Sequence, residues 1–116
     1  MGRRSQVKGA QYERELAKRW REQELFRNAK RGLGQARGDS GNDIEGTPYW
    51  VQAKQGKAIG LREAMRQAIR DTDGRTPIVV ARYDGDSADD ALVVMRLADW
   101  ERLESSANVL ETIPVH

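Results

Sequence analysis

Three polar side chains in the middle of the chain are spaced so that they can meet. Asp43 lies before a turn at residues 46–48, and Gln52 and Lys54 lie after it on a second extended segment. Side chains alternate between the two faces of a strand, so Gln52 and Lys54 share one face. If the apolar residues between them pack into a core, this small hairpin directs all three polar side chains to its other side.

The oxygen atoms of aspartate and glutamine are hard donors of the kind that Mg²⁺ and Mn²⁺ prefer. Mg²⁺ usually keeps several waters, so a few protein oxygens suffice to hold it. A metal at Asp43 and Gln52 could activate a water and polarise a phosphoryl oxygen. Lys54 would then orient the attacking hydroxide or stabilise the charge on the phosphoryl oxygens. Glu13 could add another carboxylate if the helix that carries it packs beside the hairpin.

The same residues also have ordinary structural explanations. An aspartate beside a turn and a lysine at the edge of a strand are common devices in soluble domains. Glu13 alone is typical of a helix surface, and spacing alone favours the structural explanation. The glycine-rich stretch at 32–42 is similar in composition to a phosphate-binding loop, but it lacks the spacing of a P-loop.

The elements that must position these residues follow from the periodicity of the chain. Apolar residues at helical spacing predict a helix over about 6–26, with Trp20 in the core. A second amphipathic helix is predicted at 61–71, and a near-continuous apolar run at 76–83 indicates a central strand. The other predicted elements are strands at 27–31, 43–45, 49–55 and 91–97, an acidic turn at 84–90, and a short helix at 98–106 whose Trp100 and Leu103 face inward.

The order of these elements, αβββαββα, predicts an α/β fold with a mixed central sheet flanked by helices. The 116 residues fit one domain spanning 1–116, with a modest core. No run approaches the ~18 apolar residues of a membrane span. The arginines near the N-terminus are not followed by the apolar segment of a secretory signal, so we expect a cytoplasmic protein.

The charge of the chain is unevenly distributed, although its net value is only +2. Residues 1–37 hold eleven Lys and Arg against four Asp and Glu, and residues 38–116 hold nine against fourteen. The basic first third has two explanations with about equal support. It is either a surface that binds a polyanion or a solvated helix rich in charged residues. Cysteine is absent and His116 is the only histidine, which argues against thiolate zinc sites and histidine general bases.

Four segments of the chain carry a further signal. They are KGAQYERELAKRW at 8–20, RGDSGNDIEG at 37–46, YWVQAKQGK at 49–57 and VVMRLADWERL at 93–103. In this order they resemble the motifs of the PD-(D/E)XK nucleases, and within them the Holliday junction resolvase-like branch of archaea and phages. The resemblance implies a restriction-endonuclease-like fold with an αβββαβ core.

The resemblance also implies a role for each residue of the candidate site. Asp43 would be the central metal ligand, and Lys54 would be the lysine of the (D/E)XK motif. Gln52 would occupy the acidic position of that motif. Glu13 would be the helix carboxylate that supports the metal or the water.

The chain departs from the family pattern at two positions. Asn42 replaces the proline of PD, and Gln52 replaces an acid with an amide that brings no charge. Metal affinity should therefore fall unless another carboxylate, at Glu45, Asp39 or Glu13, supplies the missing negative charge.

The expected contacts with nucleic acid lie mainly in the basic N-terminal third. Ser40 matches a serine that lies near the scissile phosphate in this branch, and Arg14 is a candidate contact to the DNA backbone. The full set of candidate nucleic-acid-binding residues is Arg3, Arg4, Lys8, Arg14 and Ser40. Recognition is expected to be of backbone shape and to weaken as the salt concentration rises.

Together these features predict a Mg²⁺- or Mn²⁺-dependent DNA endonuclease that hydrolyses phosphodiester bonds, with branched, Holliday junction-like DNA as a candidate substrate. A symmetric junction and a short chain also favour a homodimer. Three alternatives stay open. They are a catalytically weakened DNA-binding or assembly subunit of the same fold, a nicking, restriction or packaging-associated nuclease, and a protein with no nucleic-acid function.

Overall fold

The chain folds into an α/β domain whose elements follow the predicted order. A computed structural model describes the backbone of residues 2–32 and 41–112 and the side chains of residues 9–32 and 41–107. Within these residues the elements are α1 (Gly2–Glu22), β1 (Lys30–Arg31), β2 (Ile44–Glu45), β3 (Tyr49–Gly56), α2 (Leu61–Asp71), β4 (Thr76–Tyr83), β5 (Leu92–Val94) and α3 (Leu97–Thr112), with a 3₁₀ turn at Ala88–Asp90.

The main sheet is mixed, as the sequence predicts. Its strands lie in the order β3-β4-β5. β3 and β4 run parallel, with Gln52 beside Val79, and β4 and β5 run antiparallel, with Val80 beside Val93. The apolar run at 76–83 is therefore the central strand, which explains why it carries almost no polar side chains.

Helices cover both faces of this sheet. The apolar stripe of α1, with Leu16 and Trp20, packs against Ile44, Val51 and Val80 in the larger core cluster. Burying an aliphatic side chain such as that of Val51 stabilises the fold by roughly 1.5–3 kcal/mol. The smaller cluster on the other face joins Ala64 of α2 to β4 through Val79 and Ala81.

The first helix ends earlier than the periodicity predicts. α1 ends at Glu22, and Glu24 adopts a left-handed conformation with φ of 57°. This turn lets the N–H groups of Leu25 and Phe26 donate to the carbonyl of Trp20 at 3.0 and 3.2 Å. Phe26 then packs edge-on against Trp20, with 5.3 Å between ring centroids. Phe26 thus keeps an apolar contact with α1 without belonging to the helix.

The prediction that residues 43–45 and 49–55 pair with each other as a hairpin is wrong, although both segments are extended. β2 pairs instead with β1, antiparallel, to form a separate two-stranded sheet. One backbone bond, from the N–H of Asp43 to the carbonyl of Val51, still joins the segment to β3. Side chains add further bonds, because Asn42 Oδ1 accepts the N–H of Val51 at 2.7 Å and Asn42 Nδ2 donates to the carbonyl of Tyr49 at 3.0 Å. The segment therefore still lies along β3.

The last helix is longer and more exposed than predicted. The N–H groups of Asp99 and Trp100 already donate to Arg96, so the helix begins at Leu97 and shortens the preceding strand. Trp100 and Leu103 expose 51% and 41% of their surface, so the prediction that they face inward is wrong. The reason is that α3 makes only weak contacts with the other described elements.

None of the helices within the described residues combines the length and the apolar character that crossing a bilayer requires.

Candidate active site

The four residues predicted to form a site line one cavity of about 230 Å³. Glu13 reaches it from α1, Asp43 from the segment before β2, and Gln52 and Lys54 from β3. The cavity lies at the edge of β3 that does not pair with β4. The structure therefore brings these four side chains together, and both a backbone bond and side-chain bonds hold Asp43 against β3.

Asp43 is fixed against β3 at both its backbone and its side chain. Its N–H donates to the carbonyl of Val51 at 2.9 Å, and its Oδ2 accepts the N–H of Ala53 at 2.7 Å. Only 5% of the residue is exposed. The carboxylate therefore occupies the position of a neighbouring strand and satisfies an N–H that would otherwise be buried without a partner.

The environment of Asp43 disfavours its charge. Burial raises the pKa of this carboxyl from 3.8 to about 7, and the nearby carboxylate of Glu13 adds to the rise. The hydrogen bond from Ala53 and the charges of Lys54 and Arg31 oppose it. A cation bound in the cavity would favour the ionised form, because an opposite charge at short range offsets the cost of desolvation.

Glu13 faces inward and pairs with Arg31 of β1. Arg31 Nε donates to Glu13 Oε2 at 2.7 Å, and the Glu13 side chain is only 8% exposed. Arg31 is not among the residues that the sequence pattern predicts for the site. Lys30 and Arg31 are both basic and together make up β1, and nothing in their types shows which one points toward α1.

Gln52 and Lys54 complete the polar wall of the cavity on β3. Gln52 is buried, with 5% of its surface exposed. Its amide makes no hydrogen bond with another described residue, so its oxygen can serve a ligand in the cavity. Lys54 is half-buried and lies close enough to Asp43 to lower the pKa of that carboxyl.

α2 contributes a further residue that the sequence pattern does not predict for the site. Gln67 lines the cavity and belongs to the same helix as the buried Ala64 and Ala68. Like Glu13, it is a polar residue at the border of an apolar helical stripe. A polar residue that borders the apolar stripe of a packed helix is therefore the signal that could have identified Gln67.

The donor set of the cavity fits a hard divalent cation. It offers two carboxylates, from Glu13 and Asp43, and the amide oxygen of Gln52. Strand alternation also directs the carbonyl of Ala53 to the same edge as that of Val51. In the part of the chain that the structure describes, no three His, Cys, Asp or Glu side chains form a metal-binding group, so neutral oxygens must complete the set.

Within the described residues, no other carboxylate brings to the cavity the negative charge that the amide of Gln52 lacks. Glu45 does not line the cavity and instead lies 3.6 Å from Arg75. Asp39 falls outside the described residues. The charge on a bound cation would therefore be balanced mainly by Glu13 and Asp43.

The predicted nucleic-acid-binding residues are only partly described. Arg14 is exposed on α1, next to Glu13 in the chain. Arg3, Arg4 and Lys8 belong to the backbone of the same helix, but their side chains lie outside the described residues, as does the whole of Ser40. Arg14 is therefore the one side chain of this predicted set that the structure describes.

Comparison with known proteins gives no family assignment. No family model matches the chain, and no curated protein or solved structure is significantly similar to it. The resemblance carried by the four sequence segments therefore stays a hypothesis.

Proposed function

We propose that this protein is a metal-dependent DNA endonuclease that hydrolyses phosphodiester bonds with Mg²⁺ or Mn²⁺. The observation that carries the proposal is the meeting of Glu13, Asp43, Gln52 and Lys54 in one cavity. These residues come from three separate segments of the chain: α1, the segment before β2, and β3. Two buried carboxylates beside a lysine are typical of a site for a cation and an anionic substrate.

The arrangement of elements supports a restriction-endonuclease-like fold for this domain. β3 and β4 are parallel and lie between α1 on one face and α2 on the other. The candidate lysine and the residue at the acidic position lie two apart on β3, and the candidate aspartate is bonded to the same strand. Of the four sequence segments that resemble PD-(D/E)XK motifs, 8–20 lies on α1, 49–57 covers β3, and 93–103 lies on β5 and α3.

In the proposed reaction, Asp43, Glu13 and Gln52 would hold the metal ion. Such an ion polarises a phosphoryl oxygen and increases the acidity of a water molecule. The hydrogen bond from Ala53 keeps the Asp43 carboxylate in one orientation, which reduces the reorganisation needed at the reacting centre.

The remaining polar side chains would act on the substrate. Lys54 would place its ammonium beside the scissile phosphate and stabilise the charge that develops on the phosphoryl oxygens. Arg14, exposed one residue after Glu13, would contact the DNA backbone. Because such contacts are with phosphates, binding should weaken as the salt concentration rises.

A cleavage assay with matched variants tests the proposal. Four-way junction, duplex and single-stranded DNA would be incubated with Mg²⁺ or Mn²⁺ and the wild type, Asp43→Asn, Lys54→Ala or Glu45→Gln. We expect Asp43→Asn and Lys54→Ala to lose cleavage by ~100-fold or more, since each removes a charge at the reacting centre. Glu45→Gln removes a carboxylate that is paired with Arg75 outside the cavity, so it should cut like the wild type.

The outcomes separate the alternatives. Cleavage that survives Asp43→Asn would show that the site is elsewhere. The preferred DNA among the three would define the substrate class, including the nicking, restriction or packaging alternatives. Absence of both binding and cleavage at low salt would leave a protein without a nucleic-acid function.

A second candidate function is a DNA-binding or assembly subunit of the same fold. The neutral amide of Gln52 favours it, because the described cavity then holds only two carboxylates for a metal. The assay above decides between the two functions. DNA binding without cleavage under either metal ion would establish the binding subunit and exclude the enzyme.

A further inference from the structure

A second cavity, of about 460 Å³, lies between α1 and the strands β4 and β5. It forms because α1 packs mainly against β1 and β3 and leaves the sheet uncovered toward β5. The described residues that line it include none that line the candidate active site. We call this cavity the α1–β5 cleft and define it by six of its lining residues, which are Tyr12, Leu16, Arg19, Val80, Arg82 and Val93.

The walls of the cleft offer apolar surface. Val80 and Val93 lie opposite each other on neighbouring strands, so their side chains share the face of the sheet that is turned toward α1. Leu16 and Trp20 line the cleft from α1. Val93 exposes 61% of its surface, so an apolar group bound against it would remove apolar surface from water.

The hydroxyl of Tyr12 reaches the cleft from inside the fold. The residue is only 4% exposed, and its hydroxyl makes no hydrogen bond with another described residue. Burial raises the pKa of this hydroxyl, and the nearby charges of Arg82 and Arg19 oppose the rise. The hydroxyl therefore stays protonated at neutral pH and lies near both guanidinium groups. A buried donor without an acceptor costs free energy, which a ligand that accepts its hydrogen bond would recover.

The two arginines of the cleft retain donors for a ligand. Arg19 Nη1 lies 2.8 Å from Asp89 Oδ1. Arg82 Nη1 lies 3.6 Å from Glu15 Oε2, and Arg82 Nε donates to the carbonyl of Asp86 at 3.0 Å. A guanidinium group has five N–H donors, so these contacts do not use all of them. Such groups bind carboxylates and phosphates through paired hydrogen bonds.

The charges around the cleft favour a ligand with a single negative charge. The carboxylates of Glu15, Glu22 and Asp89 also line the cleft, and their side chains are more exposed than those of the two arginines. They therefore lie toward its mouth, while the arginines lie deeper. A phosphate monoester carries close to two negative charges at neutral pH, so these carboxylates would repel it more strongly than they would repel a carboxylate.

We propose that the α1–β5 cleft binds a small molecule that combines an apolar body with one carboxylate. The carboxylate accepts hydrogen bonds from the Tyr12 hydroxyl and from Arg19 and Arg82, and the apolar body lies against Val80 and Val93. The volume of the cleft falls in the range of about 300–1,000 Å³ that is typical of sites for small ligands. The proposal does not depend on the nuclease function, because it uses no residue of the candidate active site.

Titration with simple aromatic compounds tests the proposal on the full chain without metal or DNA. The probes are naphthoate, its neutral analogue naphthamide, and naphthyl phosphate, which share one ring system and differ in charge. Nuclear magnetic resonance of the labelled protein locates each probe through the shifts of backbone amides. We expect naphthoate to bind with a Kd of roughly 1 mM or tighter and to shift the amides around Tyr12 and Val93. Naphthamide and naphthyl phosphate should each bind about fivefold or more weakly.

Two variants separate the proposed contacts from general stickiness. Tyr12→Phe removes only the hydroxyl and keeps the packed ring, and Arg19→Gln removes one guanidinium, so each should weaken naphthoate by about fivefold or more. The matched controls are Tyr83→Phe, whose hydroxyl donates to the carbonyl of Ile59 outside the cleft, and Arg62→Gln, which is exposed on α2. Both should bind naphthoate like the wild type.

The proposal makes three demands on these measurements. Naphthoate must shift amides of the α1–β5 cleft, and it must bind more tightly than naphthamide and naphthyl phosphate. Its affinity must also fall in Tyr12→Phe. A wild type that binds no naphthoate, or that binds the amide or the phosphate as tightly, would overturn the proposal. A Tyr12→Phe variant that is folded and binds naphthoate with unchanged affinity would overturn it as well.

Discussion

The backbone N–H of Ala53 donates a hydrogen bond of 2.7 Å to the carboxylate of Asp43. Through this bond a side chain takes the position that a neighbouring strand would have at the edge of β3. Asp43 is therefore part of the fold and part of the cavity at the same time. This dual position explains how a buried carboxylate is held beside Glu13, Gln52 and Lys54.

The stability of the metal-free protein should fall as the pH rises from about 4 to about 7. Burial raises the pKa of Asp43 from 3.8 to about 7, so over this range the folded state retains a proton that the unfolded chain has lost. Stability falls with pH wherever the folded state binds more protons, and the loss from this group is on the order of 4 kcal/mol. Urea denaturation in the presence of a chelator would measure it.

The variant Asp43→Asn isolates this effect from other titrating groups. Because an amide does not titrate, the difference in unfolding free energy between Asp43→Asn and the wild type should grow as the pH rises. Glu45→Gln is the control, and its stability should run parallel to that of the wild type. A constant difference for Asp43→Asn would contradict the raised pKa.

Gln52→Glu should tighten the binding of Mn²⁺ by about tenfold or more, because it adds a charge to a cavity with two carboxylates. Titration calorimetry on the two forms would measure the change. Gln23→Glu adds the same charge at an exposed position outside this cavity and should leave the affinity unchanged. Equal affinities for wild type and Gln52→Glu would show that the Gln52 side chain does not contact the metal.

Arg31→Gln should destabilise the metal-free protein by about 1–3 kcal/mol, because it leaves the buried carboxylate of Glu13 without its charged partner. Addition of Mn²⁺ should recover part of this loss if Glu13 binds the metal. Denaturation with and without Mn²⁺ would measure both effects. The control is Arg82→Gln, which removes an ion pair to the more exposed Glu15 and should cost less than about 1 kcal/mol.

Asn42→Pro should destabilise the protein by about 2–4 kcal/mol, even though proline stands at this position in the PD motif. Asn42 Oδ1 accepts the N–H groups of Ile44 and Val51, and a proline would leave both without this acceptor. Thermal denaturation would measure the change, with Asn28→Ala at an exposed position as the control. A stable, fully folded Asn42→Pro would show that the loop has another way to satisfy these groups.

The amino-acid sequence determined much of the fold through local periodicity. The apolar pattern of 61–71 identifies α2 with its observed bounds, and the apolar run at 76–83 identifies the central strand. These patterns are reliable because the side chains that face a core must repeat with the period of their own helix or strand. Alternation along β3 likewise predicted that the side chains of Gln52 and Lys54 point to the opposite face of the strand from Val51 and Ala53.

Contacts between distant segments were decided only by the tertiary structure. The sequence predicted a hairpin of 43–55, but β2 pairs with β1, and Asn42 and Asp43 use their side chains to join β3. Likewise, the pairing of Arg31 with Glu13 joins residues eighteen positions apart. A side-chain bond of this kind has no periodic signature, since it depends on how separate elements pack and not on the pattern within either one.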